Sequence, residues 1–321
     1  MYIVTGGAGF IGSNIVAGLN KQGKTDILVV DNLTRGDKFL NLRDLHIADF
    51  MDKTEFRDRL RQGTFPKGTL TAIFHQGACS DTMEYDGRYM MDNNFTYSKE
   101  MLRLALETGT PFIYASSAAV YGASTTFVED PRHEQPLNVY GYSKLLFDRH
   151  VAQMRARIHS TVVGLRYFNV YGPREHHKGR MASMVHQLHQ QLLTTQVANL
   201  FEGSGGYGPG EQRRDFIAVG DVVAVNLFLA QQEGISGVCN VGTGSSRSFN
   251  DIARHLIERL GFGEICYKPM PATLASKYQN FTEANVDRLR KLGFKQPFTA
   301  LEAGIDALLH EAGTGGKTGG G

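Results

Sequence analysis

The stretch VYGYSK, Val139 to Lys144, sets a tyrosine and a lysine four residues apart. On a helix such residues share one face, so Tyr140 and Lys144 are either an acid/base pair or two members of a solvated surface. The spacing alone leaves both open. The chemistry within reach is proton transfer at an alcohol. A free phenol has a pKa of about 10 and is only about one part in a thousand ionised at neutral pH; an adjacent ammonium favours the phenolate and lowers that value. A serine hydroxyl must also hold the substrate oxygen while the phenol takes its proton. Ser116 and Ser117, in YASSAAVYG, end a strand pattern, and Ser117 is the expected partner.

A second constellation supplies the electron acceptor. VTGGAGFIGSN follows the first strand pattern and opens a helix. Gly7, Gly9 and Gly12 satisfy the dinucleotide spacing, and Gly6, Gly9 and Gly12 give a wider version of it. Glycine permits the tight turn and the close approach of a pyrophosphate, and the helix start offers unpaired N–H groups to it. The second strand ends in Asp31, nineteen residues after Gly12, where a carboxylate meets a ribose and favours a free 2′-hydroxyl, hence NAD. Arg35 and Lys38 follow in DNLTRGDKF and could neutralise a 2′-phosphate, so NADP stays open. With the glycine turn, the strand-end serines and YxxxK in this order, the pair is read as catalytic, with hydride leaving to a nicotinamide ring.

These residues need strand ends to carry them. YIVTG, ILVVD, TAIFHQG, PFIYAS and TVVGLRYF are short apolar runs separated by helical patterns such as FIGSNIVAGLNKQG and NNFTYSKEMLRLALETG. Runs apolar throughout indicate strands buried on both faces, and strand–helix alternation gives a parallel, doubly wound sheet. The fold class is therefore α/β: a Rossmann-like doubly wound parallel sheet with a smaller, discontinuous, mainly helical substrate lobe. After Gly172 loops surround one helix, about Met184 to Leu193; strand and helix return in RDFIAVGDVVAVNLFLAQQ and GVCNVG. Residues 1–172 and 214–244 form the expected dinucleotide-binding unit, 173–213 and 245–312 the substrate lobe, and 313–321 a disordered glycine-rich tail. A ligand cleft is expected between the two units, beyond the strand ends.

The 321 residues suffice for a substantial core, and 34 basic against 32 acidic residues leave a net charge of +2. That balance argues against a nucleic-acid binder. No apolar run approaches the roughly 20 residues that span a bilayer, and no secretory start precedes MYIVTGG. Cys79, Cys239 and Cys266 are odd in number and lack metal-type spacing, so they read as reduced, buried thiols of a cytoplasmic protein. Adjacent His176 and His177 diverge without further ligand spacing, and no metal is expected.

TGGAGFIG, SSAAVYG, YGYSK, RYFNVYGP and RRDFIAVGDV resemble the extended short-chain dehydrogenase/reductase superfamily over nearly the whole chain. DNN, NVYGYSKLLFD, RYFNVYGPREHHKG with the following MAS, and LFEGS resemble, more narrowly, the ADP-L-glycero-D-manno-heptose 6-epimerase family, which makes the heptose donor of the lipopolysaccharide inner core. The resemblance implies tightly bound NADP, one per subunit, and a homo-oligomer, a pentamer by analogy. It implies a second acid/base at the lysine of PREHHKG, Lys178, which otherwise reads as a solvated loop lysine. Cofactor contacts carry over to Gly6, Gly9, Phe10, Ile11, Gly12, Asp31, Asn32, Lys38, Lys53, Gln76, Gly77, Ala78, Cys79, Ser80, Asn93, Lys144, Val170 and Lys178. Substrate contacts fall on Ser117, Asn169, Arg180, Gln187, Phe201, Glu202, Gly203, Ser204, Arg214 and Tyr278. Arg214 is the natural diphosphate clamp, or else an exposed strand-edge arginine. Three departures surround the nucleotide-sugar lobe: Arg180 stands where a serine is usual, Gln187 where a histidine is, and Gly205 to Gly210 lengthen the loop after FEGS.

Dehydration in related enzymes uses an acid and a carboxylate directly after the strand-end serine or threonine; Ala118 and Ala119 cannot titrate. What remains is oxidation and return of the hydride. A heptose C6 bears no acidifying carbonyl, so inversion proceeds through a transient 6-ketone that receives hydride on its other face. One rival is a UDP-hexose 4-epimerase using NAD and only the tyrosine base. Another is a non-catalytic dinucleotide-binding protein.

Overall fold

The computed structural model describes residues 1–66, 68–271 and 278–315. In chain order the elements are β1 (Tyr2–Thr5), α1 (Phe10–Lys21), β2 (Ile27–Asp31), β3 (Asp49–Asp52), α2 (Lys53–Gln62), β4 (Ala72–His75), α3 (Gly87–Met91) and α4 (Tyr97–Thr108). They continue as β5 (Phe112–Ser117), α5 (Val139–Gln153), β6 (Val162–Tyr167), β7 (Asn169–Tyr171), α6 (Met184–Thr195), β8 (Val197–Phe201), β9 (Arg213–Arg214) and β10 (Phe216–Ala218). Last come α7 (Val219–Ala230), β11 (Ser236–Val241), β12 (Arg247–Ser248), α8 (Phe249–Leu260), β13 (Glu264–Lys268), α9 (Asp287–Lys291) and α10 (Leu301–Gly315).

Seven strands form one parallel sheet in the order β11-β6-β5-β4-β1-β2-β3. Successive residues of a strand point to opposite faces, and the burial follows that rule. Val4, Val29, Phe74 and Ile113 pack under α1 and α7, whereas their neighbours Ile3, Leu28, Ile73 and Phe112 pack under α2, α4 and α5. Both faces are thus apolar, as the unbroken hydrophobic runs require. Direction changes on either side of β1, whose neighbours are β2 and β4, so the carboxyl ends diverge there and leave a crevice.

The structure adds to the sequence reading in four places. β3 was not expected: DFMD is polar at both ends because it is an edge strand with only Met51 buried. A second core runs from Tyr171 and Leu188 through Ile252 to Ile305, beside the small ladders β8–β13, β9–β12 and β7–β10, and it takes in Tyr171 and Phe216 from across the expected boundaries at 172 and 214. α10 runs to Gly315, past the boundary expected at 313, and the rest of that tail lies outside the described residues. Of the cysteines only Cys239 is buried; Cys79 and Cys266 are half-buried, a correction, because Cys79 lines the cleft and Cys266 lies on the edge ladder β13. Among the described residues no helix is long and apolar enough to cross a membrane.

Candidate active site

A cavity of about 590 Å³ opens at the carboxyl ends of the strands. The glycine turn forms one wall. Gly6 has φ +64°, and a Cβ on Gly12 would meet the Gly6 carbonyl oxygen at 2.1 Å, so the turn and α1 close only around glycine. α1 starts at Gly9 with no side-chain cap and no acidic residue in its first turn, which leaves its N–H groups and positive end for an anion. Asp31 is already engaged: its carboxylate accepts from Ala8 N (2.9 Å), from Asn32 N (2.7 Å) and from Lys38 Nζ (2.8 Å). Lys53 Nζ donates to Asn93 Oδ1 at 2.7 Å, and burial lowers its pKa. Every residue expected at the cofactor, from Gly6 through Gln76 to Lys178, lines this one cavity, which fits a dinucleotide.

α5 begins at Asn138, whose side chain accepts from Gly141 N (2.8 Å). A Cβ at Gly141 would come 2.6 Å from the Ala119 carbonyl oxygen, so glycine lets the helix press against the turn after β5. That approach sets Tyr140 beside Ser117 at the cavity wall. The exposed Tyr142 lies on the other face, so the pair is not on the wet side. Lys144 is buried and donates from Nζ to the Ala115 carbonyl (2.8 Å). Burial pulls its pKa to about 8, against the opposing charges of Asp148 and Cys79. The expectation of a lowered Tyr140 pKa needs correcting. Burial raises it, and the Ser117 side chain only moderates the rise. Desolvation disfavours the phenolate, so a cation at the phenol has to offset it.

Ser116 also lines the cavity, but its hydroxyl is engaged elsewhere. Its hydroxyl donates to Asp148 (2.9 Å), which also accepts from Tyr114 OH (3.1 Å) and Arg166 Nε (3.1 Å). Arg166 in turn meets Glu134 at 2.5 Å and lies 5.0 Å over the Tyr121 ring. This buried network ties α5 to β5 and β6 one helical turn below Lys144.

Lys178 comes from the 3₁₀ segment His176–Met181 and enters the same cavity, with Nζ 5.3 Å over the Phe10 ring. It is not a solvated loop lysine: burial lowers its pKa, with Glu175 opposing. His177 is buried beside it, with its pKa pulled to about 4 by burial first and then by Lys38.

The expected substrate residues divide. Ser117 lines the cavity, but Asn169, Arg180, Gln187, Phe201 to Ser204, Arg214 and Tyr278 do not. Arg180 is exposed and paired with Asp81 at 2.6 Å, while Gln187 donates back to the Ala182 carbonyl (2.7 Å) and the Arg180 carbonyl (3.3 Å). Arg214 is no exposed edge residue: it is 8% exposed, lies 4.9 Å over Tyr278 and 5.6 Å over Phe249, and donates to the Arg213 carbonyl. Among the described residues no carboxylate pairs with it, and burial lowers its pKa. Tyr278 meets Phe201 edge-on at 6.1 Å. In the lengthened loop Ser204 donates to Asn280 (2.6 Å), Asn250 donates to the Pro209 carbonyl (2.9 Å), and Tyr267 donates to Asn250 (3.0 Å).

Asn94 and His75 are among the residues that escaped the sequence reading. Asn94 is fully buried and accepts from Cys79 N (2.8 Å), donating to Cys79 O (2.9 Å) and Ser143 Oγ (3.0 Å); it joins the cofactor loop to α5. Its signal is the second asparagine of DNN, set in the π turn Asp92–Thr96, a feature that often accompanies functional sites. His75 bridges Thr5 (2.6 Å) and Ser98 (2.9 Å), and burial pulls its pKa to about 3, so it stays neutral beneath Lys144.

The chain matches the model of the NAD dependent epimerase/dehydratase family over residues 2–242. It is 53% identical over 309 residues, 96% of each chain, to an ADP-L-glycero-D-manno-heptose-6-epimerase of Alkalilimnicola ehrlichii. Among solved structures it is similar to the ADP-L-glycero-D-manno-heptose-6-epimerase of Helicobacter pylori, with TM-score 0.83 and 32% identity over 97% of this chain and 95% of that one. It is also similar to the UDP-glucose 4-epimerase of Thermotoga maritima, solved with UDP-glucose, with TM-score 0.79 and 27% identity over 98% and 99% of the two chains.

Proposed function

We infer the reaction from one premise: this chain belongs to the NAD dependent epimerase/dehydratase family and, within it, to the ADP-L-glycero-D-manno-heptose-6-epimerases. It is an isomerase that inverts C6 of ADP-D-glycero-β-D-manno-heptose to give the L-glycero epimer, a step of lipopolysaccharide inner-core synthesis. When bound, the dinucleotide accepts a hydride from C6 and returns it. Tyr140 takes the proton of the C6 hydroxyl while Ser117 holds that oxygen, and the Lys144 ammonium, in the same cavity, is the charge that in this reading offsets burial of the phenol. The resulting 6-ketone turns over in the cavity, and Lys178 supplies the acid for the opposite orientation. The single observation that carries this reading is that Tyr140 and Lys178, from two separate elements, line the same cavity.

Lys38 on Asp31 supports NADP, because the ammonium screens the carboxylate that would repel a 2′-phosphate, and Arg35 is exposed beside it. In this reading residues 1–172 and 214–244 hold the dinucleotide, while 173–213 and 245–312 hold the nucleotide-sugar. Arg214 clamps the diphosphate, with Asn169, Gln187, Tyr278 and the FEGS run around it, while Arg180, paired with Asp81, stands at the edge of the cavity. The protein is cytoplasmic and a homo-oligomer, a pentamer by family resemblance, which sedimentation velocity measures.

NMR of the product formed from ADP-D-glycero-β-D-manno-heptose, with UDP-glucose as control, tests the assignment. Inversion confined to C4 of UDP-glucose overturns it. Tyr140→Phe is expected to lose roughly 10²–10⁴-fold in kcat. Lys178→Met is expected to lose a comparable factor with Tyr140 intact, whereas a 4-epimerase with one base would barely notice it.

A further inference from the structure

We infer that Arg174 and Asn41 are positioning residues for Lys178, and that they dock the Lys178 loop onto the turn that follows β2. The inference rests on the reading of Lys178 as second acid/base. It starts from the backbone. Arg174 has φ +73° and is one of two non-glycine residues at positive φ among the described residues, the other being Gln196 in a helix C-cap. A long, charged residue is held there by its surroundings, and its guanidinium identifies them. Nη1 donates to the Asn41 carbonyl (2.5 Å) and to Asp44 (3.0 Å), and Nη2 donates to Asp44 (2.5 Å).

Asn41 returns the contact. Its side chain is 1% exposed, and Nδ2 donates to the Arg174 carbonyl (3.1 Å) and the Ala8 carbonyl (3.0 Å) and lies 3.2 Å from His177 Nδ1. The two residues thus exchange side-chain bonds to each other's backbone. Asn14 of α1 adds a bond to the Pro173 carbonyl (3.0 Å). The far end of the loop is fixed separately: buried Glu175 accepts from Ser183 N (2.6 Å) and Ser183 Oγ (2.7 Å), at the start of α6. Lys178 lies between these anchors, and its N–H donates to the Glu175 carbonyl (2.9 Å). Asn41 holds Ala8, two residues before Phe10, and the Lys178 ammonium lies over the Phe10 ring. The clamp therefore sets Lys178 against the start of α1.

Arg174→Gly is the decisive variant, because glycine takes a positive φ without strain and removes only the side chain. Assayed on the holoenzyme, kcat is expected to fall roughly 10- to 100-fold, the scale on which an ångström of misplacement is felt. KM for the nucleotide-sugar, dinucleotide content per subunit and the urea midpoint should stay near wild type. Arg174→Lys should recover part of kcat by reaching the Asn41 carbonyl, and Asn41→Ala should repeat the kcat loss. In a Lys178→Met background, Arg174→Gly should change residual turnover less than about twofold, because the two act through one group. A Lys178→Met enzyme of full activity refutes the acid/base reading itself. An inactive Lys178→Met beside an Arg174→Gly of wild-type kcat refutes only the positioning role. So does Arg174→Gly that sheds dinucleotide, or whose loss multiplies with that of Lys178→Met.

Discussion

Arg166 and Arg214 are both buried, one beneath the catalytic helix and one against the Phe249 and Tyr278 rings of the substrate lobe, and the fold treats them in opposite ways. Arg166 meets two carboxylates, Glu134 at 2.5 Å and Asp148 at 3.1 Å, although its Nη1 finds no hydrogen-bond partner. Arg214 has aromatic faces and one backbone carbonyl, and no carboxylate among the described residues. A buried charge is costly without a partner. The compensated arginine is structural, and it spends its charge holding α5 against β5 and β6. The uncompensated one has no such partner, and in the proposed reading its charge is kept for the diphosphate of the nucleotide-sugar, an anion that suits a planar, permanent cation.

The largest effect expected from this contrast is on stability. Arg166→Met strands Asp148 as a buried carboxylate, leaves Glu134 only its longer pair with Arg149 (3.4 Å), and should lower the unfolding free energy by about 3–5 kcal/mol in urea denaturation. Arg214→Met strands nothing, so the same measurement should find its stability unchanged or higher. Its loss should appear instead as roughly 100-fold in kcat/KM for the nucleotide-sugar, with dinucleotide content intact. Equal destabilisation by the two variants would erase the distinction.

The compensated network also reaches the chemistry, and pH is the way to see it. Lys144 sits near 8 because burial lowers it, and the Asp148 carboxylate is the first group acting the other way. Below that pH the ammonium is present and favours the phenolate; above it the charge is lost, so kcat should fall on the alkaline side. Asp148→Asn removes the supporting negative charge, and the alkaline limb should move to lower pH. A limb that stays in place would separate Asp148 from the proton transfer and leave it a purely mechanical anchor.

The same division explains what the sequence made legible. The glycine turn, Asp31, Ser117 and the Tyr140–Lys144 spacing are local signals, each fixed by a strand end or one helical turn. Lys38 and Lys178 fell into the cleft for that reason, although only a resemblance distinguished Lys178 from an ordinary loop lysine. Asn41, Asn94 and Asp148 left no comparable signal, because each works through partners far along the chain: Asn41 to His177, Asn94 to Ser143, Asp148 to Ser116. The lobe was harder still. Its ladders are as short as the two residues of β9 and β12, too brief for a period to register. The unexpected half-burial of Cys79 has the same origin, since its surroundings come from the DNN turn and α5, not from its own run.

Arg180 completes the series, as an arginine that is paired but exposed. Its partner Asp81 lines the cavity, so the pair ties the Lys178 loop to the loop after β4 at the cavity edge. The side chains are 69% and 33% exposed, and water screens such a pair, which is worth about 0–1 kcal/mol. Arg180→Ser and Asp81→Asn should therefore each leave the urea midpoint almost unmoved. What the pair does influence is the distance between two loops that share the cavity. Each variant should change KM by no more than a few-fold, the double variant no more than either single, and the change should vanish in 0.5 M salt, about where the Debye length shrinks to a few ångströms. A salt-insensitive change would mean that Arg180 touches the nucleotide-sugar directly. It would then belong with Arg214, among the charges the fold leaves for a ligand.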